Sequence, residues 1–295
     1  MLQVGALLES VQLAKRFQNL DEIKEVSSAM VRQYAPAISP ISTSSGDLVP
    51  LDMDVSPFDN SKTQKEGVSR TYKSYDDYAP MMAYIATEGY QINVELRNGS
   101  QHCQKNTPAF LKQTLDYARQ ITDAPLLVRL DSGNDSQDNY TICSEFQDVY
   151  FIVKRNLRKE SPAAWLTLAE NTDGTICVHS KHKTVWTGKT TVGLKGQALP
   201  YTIVFKVTKR YGHKGEVLLF PEIEVETYSC NLPKINPEEV IELYHDHGTS
   251  EQFHSEIKTD LGLERLPSGR FASNSLVLHL GLLAYNALRI IGQIT

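Results

Sequence analysis

The chain has 295 residues, of which 41% are hydrophobic and 22% charged; this suits a folded protein with a sizeable core and is unlike a disordered segment or a coiled coil. Its four cysteines, Cys103, Cys143, Cys177 and Cys230, stand far apart with no C-x-x-C pair, which argues against a zinc knuckle or a disulfide framework and fits a reducing cytoplasm. The net charge of −5 conceals an asymmetry: between Lys154 and Gly215 twelve Lys/Arg oppose three acidic residues, a net of +9, which leaves −14 for the remainder.

In chain order, residues 1–34 carry apolar residues at helical spacing (Leu7, Val11, Phe17, Leu20, Ile23, Met30) and predict two short helices. The opening stretch is broken by Glu9 and Gln12 and lacks a basic n-region, so it does not read as a secretory signal. A Pro/Ser/Thr-rich linker ends at Asp47, followed by a strand over 48–56, a loop or β-turn excursion over 59–78, and strands at 81–87 and 90–97. Thr107 and Pro108 open a helix reaching about Thr122. The continuously apolar run APLLVRLD, 124–131, predicts a central strand covered on both faces, and 149–155 another, with a short helical piece between them. That order is an α/β layout with a mixed sheet.

From Trp165 to Glu226, β-branched runs alternate with Gly and charge and predict a β-rich insertion. Asn236, Pro237 and Glu239 supply the N-cap, N1 and N3 of a helix continuing to Gly262. The most apolar stretch, Leu276 to Ile291, is shorter than a membrane span requires and contains His279, Asn286 and Arg289, so it predicts a buried helix.

Three acidic positions suggest chemistry. Asp54 ends the first strand, with Asp52 on the same side because strand side chains alternate. Asp131 ends the apolar run at its C-terminal edge, where active sites of open α/β sheets gather; a turn-capping Asp is the plainer alternative. On the next helix, Tyr244, His247, Glu251 and Lys258 fall within an arc of about 60° at 100° per residue, as a catalytic line or a solvated face would.

The conjunction resembles the DDE transposases of bacterial insertion sequences, specifically the branch with a β-strand insertion, whose Glu region reads Tyr, two residues, Arg, three residues, Glu, six residues, Lys. Tyr244, His247, Glu251 and Lys258 have that spacing, with His replacing Arg. The segments LDMDVSPFDNSKTQ, YAPMMAYIATEGYQINVELRNGS and LLVRLDSGN resemble the first and second Asp regions, so the likeness runs from about residue 48 to 295.

The resemblance implies an RNase H-like α/β fold, a mixed sheet flanked by helices and interrupted by a β-rich insertion. It divides the chain into a helical N-terminal remnant (1–40), a first core part (41–157), the insertion (158–226) and a C-terminal helical part of the core (227–295). Because the family's longer members carry a DNA-binding region before the core, a shortened copy is expected. It implies a metal-dependent transposase that hydrolyses phosphodiesters at insertion-sequence ends and transfers strands, acting in the bacterial cytoplasm near the nucleoid on double-stranded DNA, as a homodimer in a synaptic complex and without a membrane partner.

Two Mg²⁺ ions, with Mn²⁺ as substitute, are the expected cofactors, since two metals about 3.5–4 Å apart can activate the attacking oxygen and stabilise the leaving one. Asp54 is expected to be shared by both ions, with Asp131 and Glu251 each completing one site; Asp52 competes for the first position, and Ser56, two residues after Asp54, favours Asp54. Tyr244, His247 and Lys258 are the expected phosphate contacts. The basic insertion adds Lys183, Lys189 and Trp186 as DNA contacts, Trp186 as a stacking platform for a base or, alternatively, as core.

Neutral imidazole is a poorer anion ligand than guanidinium, so a homologue that binds DNA without cutting it is the first alternative. A metal-independent hydrolase using Asp54 and Glu251 as an acid/base pair is the second. Gly188–Lys189–Thr190 lacks the first Gly of a phosphate loop, and Cys177, His179 and His182 have no second cluster at zinc spacing. His245, His247 and His254 do not form H-E-x-x-H.

Overall fold

The computed structural model describes residues 20–71, 74–213 and 216–294. The first of the two N-terminal helices predicted lies outside them; the second is α1, Leu20–Tyr34. The segment read as a linker instead forms a hairpin, β1 (Ile41–Thr43) against β2 (Gly46–Val55), because Gly46 adopts φ 111° in the turn and Ser42 Oγ donates to Asp47 at 2.7 Å. The excursion over 59–78 holds a two-stranded ribbon, β3 (Ser69–Arg70) and β4 (Asp76–Asp77). Then come β5 (Met81–Ile85), β6 (Tyr90–Glu95), α2 (Thr107–Ile121), β7 (Leu126–Leu130), α3 (Gln137–Glu145) and β8 (Val149–Lys154), all close to the predicted bounds.

The core sheet runs β6-β5-β2-β7-β8, with β5 antiparallel to β2 and β6 and with β2, β7 and β8 parallel. This is an RNase H-like mixed α/β sheet. β7 lies fourth from the β6 edge, with strands on both sides, and is buried along its whole length, as its unbroken apolar run requires. Val49, Leu51, Met53 and Val55 of β2, with Leu126, Val128 and Leu130 of β7, face the cluster containing Phe110, Leu111 and Leu115 of α2.

The sheet continues past β8 through β12 (Glu216–Cys230), β11 (Ala198–His213), β10 (Lys183–Val192) and β9 (Ile176–His179), all antiparallel. The β-rich texture is therefore a continuation of the core sheet. One correction concerns its start: Trp165 sits on a helix, α4 (Pro162–Asn171), which Ser161–Pro162 opens as N-cap and N1. A second concerns charge. β12 sets Glu222, Glu224 and Glu226 across from the basic β11, and Lys206–Glu226 and Arg210–Glu224 pair at 3.5 and 2.9 Å, so the tertiary fold partly neutralises a stretch that reads as strongly basic.

The helix predicted from Asn236 to Gly262 is broken into α5 (Pro237–His245), a 3₁₀ turn (Asp246–Gly248), α6 (Thr249–Ser255) and a π turn (Glu256–Asp260). Glu256 pairs with Arg289 at 2.5 Å and accepts from Tyr285 at 3.1 Å, which anchors the π turn. The last helix, α7 (Phe271–Ile294), has 24 residues, longer than predicted, and by length and composition it is apolar enough to cross a membrane. One of its faces is buried through Leu278, Leu282, Tyr285 and Asn286, and Leu288 and Ile294 are exposed on another. Asn286 is fully satisfied inside the fold, donating to Ser27 Oγ and the Gln91 carbonyl and accepting from the Gln91 amide.

Candidate active site

Strand alternation sends Asp52 and Asp54 of β2, and Arg129 and Asp131 at the end of β7, to the face opposite the α2 cluster. On that face one apolar cluster joins Leu48, Leu127 and Ile152 to Val240, Ile241 and Leu243 of α5, and another joins Met82 and Tyr84 to Phe253 and Ile257 and to α7. The polar side chains lie between the two. Parallel register sets Asp52 beside Arg129 and Met53 beside Leu130, so one step further along Asp54 meets Asp131.

The inner pair is fully compensated. Arg129 Nε and Nη2 donate to the two Asp52 oxygens at 2.6 and 2.7 Å, Arg129 Nη1 donates to the Leu243 carbonyl at 2.8 Å, and His247 Nδ1 lies 3.0 Å from Asp52 Oδ1. Burial would raise the Asp52 pKa, and Arg129 with His247 outweighs it, so the carboxyl is held below its ordinary value. Burial likewise works against charge on His247; Asp52 outweighs it and raises the imidazole above its usual range. Both Asp52 oxygens are thus engaged by Arg129, whereas Asp54 makes no such pair. His247 is buried and tied to Asp52, so the phosphate-facing role expected of it is confined to the ring edge that lines the cavity.

The outer pair is uncompensated. Asp54, Asp131 and Glu251 line one cavity of about 350 Å³ together with Tyr244, His245, His247 and Gly248. Burial, then the charge of Asp131, then more weakly Glu251, push Asp54 up to about 6, against the smaller opposite pull of His247 and the Val55 amide. Like charges set side by side on a sheet are destabilising. Asp131 is held in place by Asn134, whose Nδ2 donates to Oδ1 at 2.6 Å. Gly133 packs so closely that a Cβ there would lie 3.3 Å from both Asp131 oxygens and 2.7 Å from Cys103 Sγ.

Among the described residues no three His, Cys, Asp or Glu side chains form a ready-made cage for a metal. The donor set is nonetheless the kind a hard cation takes: all carboxylate oxygen, with surplus negative charge, and Glu251 exposed on α6. Mg²⁺ commonly uses one or two carboxylates and fills its sphere with water and substrate phosphate, so the residues fit such an ion.

Lys258 lies in the π turn and lines an adjoining cavity with Asp54, Ser56 and Glu251, its Nζ 5.7 Å from the centre of the Phe58 ring. The broken helix thus still brings Tyr244, His247, Glu251 and Lys258 to one side, although not by uniform helical rotation. Tyr244 packs on Tyr228 at 4.9 Å between ring centres, and burial, with Asp131 and Asp54, raises its hydroxyl pKa.

The insertion residues do not join this group. Trp186 is buried beside Trp165, Phe205 and Val207, so its core alternative holds and the stacking role is withdrawn. Lys183 is exposed on β10, and Lys189 donates to the Ile235 carbonyl at 2.8 Å. Two residues went unassigned in the sequence. Arg129 had a legible signal, a charge inside a strand covered on both faces that demanded a buried partner. Asn134 had only its place three residues after Asp131.

The family described as Transposase DDE domain group 1 matches residues 9–294. No curated protein matches the sequence. Among solved structures, a piggyBac transposase in a synaptic complex with hairpin DNA, determined by cryo-electron microscopy, is similar at 10% identity with a TM-score of 0.45, over 97% of this chain and 54% of that one. This chain therefore spans about half the length of that relative.

Proposed function

Because the chain belongs to the Transposase DDE domain group 1 family, we propose that it is a metal-dependent DNA transposase that hydrolyses phosphodiesters and transfers strands at insertion-sequence ends, with Asp54, Asp131 and Glu251 as its catalytic carboxylates. The observation that carries this reading is the convergence of those three side chains on one cavity, where Asp131 and Glu251 add to burial in pushing Asp54 up to about 6. The family generally uses divalent metal ions, and Mg²⁺, with Mn²⁺ as substitute, is the pair proposed here, held by Asp54, Asp131 and Glu251. Once bound, such ions supply activation of an attacking oxygen and stabilisation of a leaving one.

The chain's own groups do the rest. Asn134 keeps the Asp131 carboxylate aimed at Asp54 through its 2.6 Å bond. The bidentate Arg129–Asp52 pair fixes β2 against β7 beneath the acidic ends, and Asp52 raises the pKa of His247 at the cavity wall. Tyr244 and Lys258 flank the carboxylates, one in each adjoining cavity, and are proposed to hold DNA phosphates there. The partner is double-stranded DNA, met as a homodimer on paired ends in the bacterial cytoplasm. The same reading takes 41–157 and 227–295 as the catalytic core, 1–40 as an N-terminal remnant and 158–226 as an insertion, on which Lys183 is a backbone contact.

The deciding experiment is nicking of supercoiled plasmid carrying the sequences that flank the gene, with and without Mg²⁺. Wild type is expected to nick only with the metal, and Asp131→Asn not at all. Equal behaviour of the two proteins would remove the enzyme reading. Because His247 stands where the family's spacing has Arg, the second reading is a DNA-binding homologue without catalysis, and binding without nicking by wild type would select it.

A further inference from the structure

The long sheet ends at β9, which among the described residues pairs only with β10. All four of its residues, Ile176 to His179, are exposed. Ser180 N donates to the Lys183 carbonyl at 2.8 Å and closes the hairpin, so alternation along the ladder turns the backbone groups of Val178 towards β10 and leaves the N–H and C=O of Cys177 and His179 facing the open edge. Such an edge is a template for another strand, and the exposed Lys181 and Lys183 beside it are a charge device that resists pairing unless something further stabilises it.

The same two residues have the geometry of a pair of zinc ligands. They share a face of the strand, and Cys177 Sγ lies 3.5 Å from His179 Nε2. Two ligands of one tetrahedral zinc ion, with bonds of about 2.3 Å to thiolate and about 2.0–2.1 Å to imidazole, stand about 3.5 Å apart. His179 Nδ1 lies 3.1 Å from Oγ1 of the buried Thr184, its neighbour on β10, which turns Nε2 towards the sulfur as an outer partner does for a ligating imidazole. Zinc takes four ligands, and among the described residues no third His, Cys, Asp or Glu joins the pair. The site is incomplete in one chain.

A second copy completes it. When two β9 edges meet antiparallel about a two-fold axis at Val178, the outward backbone groups of Cys177 pair with those of His179 of the second copy, and the reverse pair forms by symmetry. Side chains directly opposite have Cβ atoms roughly 4.5–5.5 Å apart, so two thiols and two imidazoles converge on one face of the joined sheet. We propose that β9 is an interface between two copies of this chain, closed by one Zn²⁺ ion that Cys177 and His179 of each copy share. Binding releases both thiol protons to solvent, and the two thiolates balance the charge of the ion. The inference is independent of the carboxylate cavity, whose oxygen donors suit a hard cation, whereas thiolate and imidazole suit zinc.

The test uses the full chain without DNA, stripped of metal, kept under a phosphine reductant so that no Cys177 disulfide forms, and held in excess Mg²⁺ to occupy the carboxylates. Sedimentation velocity is measured with and without Zn²⁺, and Co²⁺ is then titrated in its place as a spectroscopic probe. The protein is expected to be a monomer without zinc and a dimer with one ion per two chains, and a thiolate-to-cobalt charge-transfer band, which carboxylate oxygens cannot produce, should rise in step with the dimer. Cys177→Ser and His179→Gln, both at exposed positions, should keep the wild-type Tm and stay monomeric at zinc concentrations that dimerise the wild type. His182→Gln, in the neighbouring turn, should behave as wild type, and Thr184→Val should weaken cobalt affinity about tenfold.

No zinc-dependent dimer, a dimer that persists in chelator, a dimer indifferent to Cys177→Ser, or a cobalt–thiolate band carried by monomers at one ion per chain would each overturn the proposal. A protein that nicks plasmid but shows any of these loses only this interface. One that dimerises with zinc as expected but does not nick keeps the interface and loses the catalytic reading.

Discussion

Asp52 and Asp54 are two residues apart on one strand, as Arg129 and Asp131 are at the end of the next, yet the two layers they form are opposites. The inner layer matches each charge: Asp52 has Arg129 on both oxygens and His247 at 3.0 Å. The outer layer sets Asp54 and Asp131 together and adds Glu251, with Asn134 as a neutral brace. A scaffold built for stability alone would pair the outer charges as well. Leaving negative charge uncompensated at the strand ends stabilises nothing in the bare protein and gains its use when cations or a protonated group arrive.

The largest expected consequence concerns activity. Asp54→Asn, Asp131→Asn or Glu251→Gln should each lower metal-dependent plasmid nicking by about a hundredfold or more, since metal-ion catalysis is worth several kcal/mol of transition-state stabilisation; nicking at the wild-type rate by Asp54→Asn would remove the outer layer from catalysis. The inner layer should respond in stability instead. Arg129→Met removes the guanidinium that bonds both oxygens of the buried Asp52, leaving it His247 at 3.0 Å, and should cost about 3–5 kcal/mol in urea unfolding, whereas Asp52→Leu with Arg129→Met should recover most of it. Failure of the double variant to recover would mean that the pair contributes more than mutual neutralisation.

Trp186→Ala should also cost about 3–5 kcal/mol, through the cavity it opens beside Trp165 and Phe205. Lys183→Gln, on the exposed face of the same strand, should leave stability within about 0.5 kcal/mol.

An effect smaller than those of the core changes has a distinctive pH dependence. In metal-free protein, Asp54 holds its proton up to about 6, above the unfolded value of 3.8. Folding therefore favours the protonated form; the penalty is absent below about pH 4, grows as pH rises, and is complete above about pH 6. Asp54→Asn should stabilise the metal-free fold by about 1–3 kcal/mol at pH 7.5 and leave it unchanged near pH 4. A constant difference across that range would assign the effect to packing. Divalent cation should raise the wild-type Tm and shift Asp54→Asn less.

Much of this architecture was legible in the sequence. The APLLVRLD run is a central strand because its apolar residues fall on both faces, and Thr107–Pro108 opens a helix because a missing N–H is harmless there. Local signals failed where a distant contact set the outcome. The helix from Asn236 breaks at Gly248 and passes into a π turn, held by bonds from Arg289 and Tyr285 roughly thirty residues away. Trp186, set among lysines, left a stacking role and a core role both open until the packing of α4 against it decided for the core.

The sequence by itself determined which residues could carry the chemistry: two aspartates at strand ends and a glutamate on a helix at a family's spacing. It also set the strand alternation that puts Asp52 with Asp54 and Arg129 with Asp131 on common faces, a consequence of backbone geometry that needs no tertiary information. Only the tertiary structure decided which aspartate is neutralised and which left charged. That depends on the parallel register of β2 against β7 and on where the turn after α5 delivers His247, both fixed by packing between segments far apart in the chain.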